Sequence, residues 1–379
     1  MKNRKLFLTI VIGAVFFLCI GIYQMIKSKS ERGIYEQWRA QYVTNYQDGA
    51  YVNGSDRKTK SKTALSEAQG YGMLITVLAA QNKQADQKAF NRLLVYYQKH
   101  TISASNHLMA WKQIQRGQKM VTLKNNRTNA TDGDLDIAFA LLQADRLWGS
   151  SGQYNYRQLA KALLDDILRY NYNSQNELPY VGNWAKSDTK YHDLVRTSDL
   201  IPAYFETFYA TTQDERWHKL SEKSIQTLQK LSDSSSVGLM PDFIWARSDG
   251  ISAVSANTFE SKNDGDYGWN ANRIPMRLAF QSDNAQLKAI NRKMLDFFSQ
   301  QEQIKAVYDL NGQARNDYTS MAFVAPVAVA AYQQKQSFND YAKGLVRRVK
   351  SEKITGNYYA DTLQVLALLM IENNLKLEE

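Results

Sequence analysis

Residues 130–148 read ATDGDLDIAFALLQADRLW. Three aspartates, Asp132, Asp134 and Asp136, alternate at the front, and an apolar run follows. The pattern reads as a helix start, with Asp132 placed to cap and Asp134 and Asp136 projecting to different sides. Alternating aspartates also suggest a calcium loop, but Ile137 stands at the sixth position, where the turn needs glycine. Gln143 stands at the twelfth, where the loop needs glutamate, so the calcium reading fails twice. A carboxyl group buried at such a start needs hydrogen-bonding partners, or a sugar.

The same layout recurs along the chain. SEAQGYGML (66–74) begins another helix, with Ser66 as N-cap and Glu67 in a first turn favoured by the helix dipole. Capping leaves Gln69, Gly70, Tyr71 and Gly72 without a reason. Helical periodicity predicts twelve segments near 31–47, 65–82, 84–100, 132–148, 153–171, 197–211, 213–232, 270–282, 283–300, 317–333, 335–351 and 357–375, and strand-like alternation is scarce. Every even-numbered segment is approached by a polar or acidic cluster: LSEAQGYG, NATDGDLD, VRTSDLIP, DYGWNANR, ARNDYTS and ITGNYYAD. Many segments are joined in close pairs and no Pro/Gly/Ser-rich linker divides them, so one all-α domain is expected. Six hairpins close into a ring, one helix of each pair inside and one outside. The six clusters then share one rim, where dipoles, acids and aromatics line a cleft.

The composition agrees with a folded helical chain. Hydrophobic residues make up 44% of 379 and there are only 5 Pro, while 23 Tyr and 7 Trp provide flat surfaces on which a ligand can stack. Met1–Lys5 (MKNRK) precedes LFLTIVIGAVFFLCIGIYQMI, an uncharged stretch long enough to cross a bilayer as a helix of about 30 Å. No small-residue cleavage site follows it, and the surroundings of Cys19 do not suit a lipid-modified cysteine. Residues 1–30 are therefore read as an uncleaved anchor and 31–379 as the domain. Lys2, Arg4 and Lys5 favour an inside N-terminus and an extracellular domain at the cell membrane, against the basic KSKSER that follows; cleavage would make the domain secreted.

Cys19 is the only cysteine, so the domain has no disulfide, thiol nucleophile or thiolate metal site. Of the net charge of +10, half lies in residues 1–32; the remaining +5 describes a solvated surface, and no basic stripe with interleaved aromatics indicates nucleic acid. Four His without an HExxH spacing supply no zinc site. Walker, dinucleotide and G-x-S-x-G patterns are missing from the sequence. Two carboxyl groups on separate inner helices, facing one cleft with aromatic walls, suit glycoside hydrolysis without metal or cofactor.

SEAQGYGM and ATDGDLDIAFALLQADRLW closely resemble the two hallmark motifs of glycoside hydrolase family 8, a family of endoglucanases, lichenases, chitosanases and xylanases. The resemblance continues through HLMAWKQ, VGNWAKSD, RTSDLIPAYF, GLMPDF and WNANRIPMRLAF and covers most of residues 35–375. It implies an (α/α)6 barrel and an inverting mechanism. By position Glu67 would be the general acid, and Asp132 would hold the distorted sugar and offset oxocarbenium charge. Trp111, Trp184, Trp269 and Tyr358 or Tyr359 would be stacking platforms, with Arg273 near the catalytic water. Asp199 in RTSD would face the substrate or, with Ser198, serve as a cap.

The chain departs from the family pattern at the base. Many members carry an aspartate in YDAxR; this chain reads WNANR, with Asn270 in that position, and an amide cannot take a proton from water at neutral pH. The resemblance then implies the branch in which an inserted loop supplies the base. Here that loop is FIWARSDGISAVSANTFESKNDGDYG, with Asp249, Glu260, Asp264 and Asp266 as candidates. Spacing does not choose among them; Glu260, in the body of the loop, is taken as the base. The expectation is a monomeric endo-β-glycanase acting on a β-1,4-glucan or an amino-sugar relative, with exopolysaccharide synthesis machinery as a possible associate. Its rivals are a polysaccharide-binding protein whose base was lost at Asn270, and a lyase on a similar barrel.

Overall fold

The structure is a computed structural model that describes residues 33–55, 59, 61–280 and 283–374. The expected anchor, residues 1–30, lies outside them. Among the described residues no helix is long and apolar enough to cross a membrane.

Twelve α-helices are present among the described residues: α1 Ile34–Tyr42, α2 Ser66–Gln81, α3 Gln87–Lys99, α4 Thr131–Trp148, α5 Tyr156–Tyr170, α6 Pro202–Thr212, α7 Glu215–Ser234, α8 Ile274–Ala279, α9 Ala285–Phe298, α10 Met321–Gln333, α11 Asn339–Ser351 and α12 Tyr358–Glu372. The odd-numbered helices from α3 onward are strongly amphipathic, with one buried stripe each. The even-numbered ones other than α6 are buried nearly all round: only three residues of α2 escape full burial, and in α10 the run Met321–Ala331 is completely enclosed, whereas α6 buries Pro202, Tyr204, Phe205 and Phe208. A helix that is apolar on every side can be satisfied only inside. The inner helices pack α2 on α4, α8 on α10, α10 on α12 and α12 back on α2, an arrangement consistent with an (α/α)6 barrel.

Strands are the main correction to the sequence reading. Among the described residues, ten short ones, all in antiparallel pairs, decorate the loops. The sheet β3 (Thr63–Leu65), β4 (Lys112–Arg116) and β5 (Lys119–Val121) precedes and flanks the start of α2. A second sheet joins β8 (Leu194–Arg196), β9 (Phe243–Arg247) and β10 (Gly250–Ala253). Runs of three to five residues are too short to show alternation, so periodicity passes over them. Helix bounds shift for local reasons. The first segment stops at Tyr42 and continues as β1 (Val43–Tyr46), paired with β2 (Gly49–Val52). The eighth becomes a 3-10 turn at Ala271–Arg273 followed by α8, with Pro275 in its first turn.

Buried polar contacts tie the ring together. Trp38 Nε1 donates to Thr362 Oγ1 at 3.0 Å, and Tyr42 hydrogen-bonds Asp361, fastening α1 to α12. Gln69 donates to the carbonyls of Ala50 and Leu93 at 3.2 and 2.9 Å and accepts from the Val52 N–H at 3.2 Å. Its place in the hallmark motif is thus structural: one amide satisfies backbone groups of β2 and α3.

Candidate active site

Ser66 does not cap α2. Leu65 is the residue before the helix, and Ser66 Oγ is buried without a partner because α4 lies directly against it. A Cβ on Gly133 would stand 2.6 Å from the Ser66 carbonyl carbon and 2.7 Å from the Glu67 nitrogen. On the facing helix, a Cβ on Gly70 would stand 2.8 Å from the Gly133 carbonyl oxygen. The two glycines therefore let backbone meet backbone where α2 and α4 cross, and the crossing sets Glu67 beside Asp132.

Asp132 is buried in the first turn of α4 but is not its cap; it accepts from the neighbouring Gly133 N–H at 2.9 Å. Arg273 Nη1 reaches it at 2.9 Å and Arg196 Nη1 at 3.4 Å. Burial works against its charge, but the two guanidiniums prevail and hold its carboxyl down to about 2. Glu67 is in the opposite state. Burial first, and the Asp132 charge second, push it up to about 7 despite Arg273 and Arg196. The Tyr358 hydroxyl donates to Glu67 Oε1 at 3.4 Å. Two neighbouring carboxyl groups with separated protonation states are the arrangement acid catalysis requires.

Arg273 links the cluster. Besides Asp132 it donates to Tyr71 Oη at 3.3 Å, Ser198 Oγ at 2.7 Å and Asn270 Oδ1 at 3.0 Å. Arg196 is the second junction, and sequence reading did not single it out. It lies 3.5 Å from Asp199 Oδ2 and 3.1 Å from Glu260 Oε1 while facing Asp132. Its signal was the motif RTSD itself, whose arginine precedes the residues that drew attention. Thr197–Asp199 form a 3-10 turn rather than a cap for α6. Burial pushes Asp199 up to about 7 against the pull of Arg196, and its Oδ1 has no hydrogen-bond partner.

Asp134 and Asp136 serve the scaffold below. Asp134 accepts from the Met109 N–H at 2.8 Å and Asn129 Nδ2 at 2.7 Å. Asp136 takes both Nη atoms of Arg277 at 2.6 Å, with Tyr204 donating at 2.9 Å. In this fully buried pair the Arg277 guanidinium also lies 5.8 Å from the centre of the Tyr71 ring.

The four loop acids separate clearly. Asp264 is buried and accepts from the N–H groups of Phe259, Glu260 and Ser261, so it shapes the loop. Asp266 pairs with Arg315 at 3.0 Å, and Asp249 sits at the exposed β9–β10 turn. Glu260 alone of the four joins the cluster, through Arg196 and through Asn270 Nδ2, which donates to its Oε2 at 3.0 Å. Asn270 is thereby fixed at both ends: its oxygen takes Arg273, its nitrogen gives to Glu260. Buried Asp242, in the motif GLMPDF, accepts from the N–H groups of Gly268, Asn270 and Ala271 and orients that segment.

The aromatics are half-buried around these groups. Trp111 presents its carbonyl to the Ser66 N–H at 3.0 Å, next to the start of α2, with the Lys112 ammonium 5.3 Å from its ring. Trp184 stacks on Phe259 of the Glu260 loop at 5.7 Å. Trp269 packs edgewise on Phe323, and its carbonyl accepts from Tyr359 at 2.8 Å.

Comparison with known proteins gives one family. Glycosyl hydrolases family 8 matches residues 15–373. A beta-glucanase from Niallia circulans is 31% identical over 93% of this chain and 86% of its own length. Endoglucanase A from Acetivibrio thermocellus is 29% identical over 90% and 68%. Among solved structures, the apo beta-1,3-1,4-glucanase from Paenibacillus sp. X4 superposes with a TM-score of 0.81 at 30% identity, covering 91% of each chain. A cold-adapted family 8 xylanase shares the fold at 22% identity and a TM-score of 0.75, covering 90% and 91%.

Proposed function

The chain belongs to glycosyl hydrolase family 8 and is a glycoside hydrolase; from that premise we propose that it is an inverting endo-β-glucanase with Glu67 as acid and Glu260 as base. The observation that carries the reading is the placement of Glu67 beside Asp132 at one helix crossing, with Arg273 and Arg196 both on Asp132. Glu67 gives its proton to the glycosidic oxygen as the bond to the anomeric carbon breaks. Asp132, anionic between Arg196 and Arg273, stays charged beneath the sugar and offsets the oxocarbenium charge. Glu260 takes a proton from the water that attacks the opposite face, and inversion leaves room for that water between two carboxyls about 6.5–9.5 Å apart. Asn270 does not replace the base; it positions one, tying Glu260 to the Arg273 cluster.

Trp111, Trp184 and Trp269 supply sugar-stacking faces, while Tyr358, buried against Tyr42, serves Glu67 instead, and Asp199 stands behind Arg196. A β-glucan is favoured as substrate because a beta-glucanase and a beta-1,3-1,4-glucanase are among the most similar proteins found; an amino-sugar polymer is the other candidate. The uncharged stretch Leu6–Ile26 supports an anchor that keeps the domain at the outer membrane surface, where it could trim a polymer as synthesis machinery extrudes it.

The test is product release by the full chain from mixed-linkage glucan, carboxymethyl cellulose, chitosan and xylan, with the anomer of the first product read by NMR. Glucan cleavage giving the inverted anomer, lost by at least a thousandfold in both Glu67→Gln and Glu260→Gln, is expected. Binding without cleavage on every polymer would instead favour a gripping protein without a working base.

A further inference from the structure

The active site occupies the end of the barrel where the inner helices begin, which leaves the opposite end without an assigned role. The C-terminal ends of four inner helices are laced together there. Gln84 donates to Glu372 at 3.4 Å, Asn373 to the Leu78 carbonyl at 3.1 Å, Tyr332 to Asn374 at 3.0 Å and Gln333 to the Ala279 carbonyl at 3.1 Å. Gly33, where the described chain begins, belongs to this end: a Cβ on it would stand 3.9 Å from Gln84 Oε1.

That position limits how the domain can sit. Only residues 27–32 separate Ile26, the last residue of the uncharged stretch, from Gly33. Fully extended, this link reaches about 25 Å. The inner helix α2, 16 residues long, spans about 24 Å from that end to Glu67. With Leu6–Ile26 in a bilayer, the far end is held close to the lipid and the active site faces away from it.

The surface at this end carries charge that suits such a neighbour. A groove of about 640 Å³ starts at this end beside Tyr332 and Asn339 and runs along α11 to Lys350, with Tyr332, Ala342 and Val346 among its apolar lining. Its charged lining residues are Lys335, Lys343, Arg347 and Lys350, with no acid among the described lining residues; Asp340 lies 3.9 Å from Lys343 and is almost fully exposed. A second hollow at the same end, between α9 and the α10–α11 turn, adds Lys288 and Arg292, again without an acid. At the other side of this end the charges are paired internally, Arg157 with Asp145 at 2.8 Å and Arg216 with Asp214 at 2.6 Å. Among the described residues, the hollows lined by basic side chains and no acid thus both lie on the α9–α11 side. An apolar floor flanked by long basic side chains is the surface of an interfacial membrane contact.

We propose that the α10–α11 corner of the far end docks on an anionic phospholipid surface, holding the barrel upright with its active site directed away from the membrane. The inference rests on the anchor reading above and adds an orientation and a lipid preference to it. Each basic side chain near an anionic surface favours contact about fivefold, so three acting together account for about a hundredfold in the docked fraction.

The experiment uses the full chain with Cys19→Ser, reconstituted in nanodiscs of phosphatidylcholine alone or with phosphatidylglycerol. A donor dye is placed at Ser337→Cys, at the far end, or at Asn125→Cys, in the loop before α4 on the active-site side, and acceptor dye is on the lipid headgroups. Energy transfer from position 337 should exceed that from 125 and should rise with phosphatidylglycerol. Lys335→Glu/Lys343→Glu/Arg347→Glu should return it to the phosphatidylcholine value while hydrolysis of a soluble glucan is unchanged. Equal transfer from both positions, or transfer indifferent to lipid charge or to the triple substitution, overturns the docking and leaves the anchor standing. A chain that does not co-elute with the discs overturns both. Docking that appears only when an anionic wall polymer replaces the lipid overturns it in favour of that polymer.

Discussion

Gly133→Ala tests whether the α2–α4 crossing, rather than the acids alone, makes the site. The added methyl would lie 2.6 Å from the Ser66 carbonyl carbon, 2.7 Å from the Glu67 nitrogen and 2.7 Å from Ser66 Oγ. Two of these three are backbone atoms that cannot rotate away. Carbon contacts are comfortable at about 3.5–4.0 Å, so the start of α2 must retreat by about 1 Å. Overpacking of this kind costs about 1–3 kcal/mol, which lowers the melting temperature by several degrees. The larger effect falls on catalysis, because the retreat carries Glu67 away from Asp132 and from the bond it protonates. A misplacement of about 1 Å is worth about a hundredfold in rate.

The assay compares kcat on a soluble β-glucan with the melting temperature for Gly133→Ala and for a control, Gly344→Ala. Gly344 lies in α11, and a Cβ there meets nothing within 4 Å. The control should keep kcat and gain about 0.5–1 kcal/mol, as alanine does in a helix interior. If folded Gly133→Ala retains kcat within threefold of the parent, the close crossing does not position the acid and the reasoning fails.

Further predictions follow from the same geometry. Since Glu67 must be protonated to act and titrates at about 7, kcat/KM should fall as pH rises through neutrality; an alkaline limb that begins only above pH 9 would contradict that role. The same shift has a stability sign. A native value above the unfolded one contributes stability that is present below about pH 4 and lost as pH rises to about 7. Glu67→Gln should therefore be more stable to urea unfolding than the parent at pH 8, by up to about 3 kcal/mol, with the gap closing towards pH 4. Arg277→Met should destabilise by about 3–5 kcal/mol because it leaves Asp136 buried without its cation, as read by urea unfolding. Asn270→Ala should cut kcat by one to two orders of magnitude with KM little changed, by freeing Glu260; an unchanged rate would show that the loop holds its base without the amide.

The inner helices were legible in the sequence through the polar or acidic clusters that approach the even-numbered segments, and the structure adds a difference in burial. A run such as MAFVAPVAVAA has no polar face to show solvent, whereas the outer helices alternate stripes. Glu67 and Asp132 were legible through motif, yet the reason for their motif glycines was not. Sequence shows that Gly70 and Gly133 permit a close approach, and only the packed helices show that each approaches the other. Arg196 escaped notice for the same reason: its three partners, Asp132, Asp199 and Glu260, are up to 64 residues away, and no local pattern encodes a junction of that span. The strands escaped because pairs such as Leu194–Arg196 with Phe243–Arg247 are stabilised by distant partners rather than by alternation.

The two proposed proton-transfer groups, Glu67 and Glu260, are mounted differently, and that difference bears on how the site can vary. Glu67 stands on an inner helix whose position is set by backbone contact at Gly133, so neither it nor Asp132 can move without disturbing the core. Glu260 stands on a loop shaped by Asp264 and is held to the barrel by two side chains, Arg196 and Asn270. An acid supplied by the helix start itself would need no such tether; an acid supplied by a loop needs a neutral partner that can give to it while accepting from Arg273. An amide at position 270 meets both demands, and a carboxylate there would repel Glu260 while still satisfying Arg273. On the proposed roles, Asn270 and a loop-borne base act as one device. Asn270→Asp should lower activity unless Glu260→Gln accompanies it, and recovery in the double variant would show that either position can supply the base in this barrel.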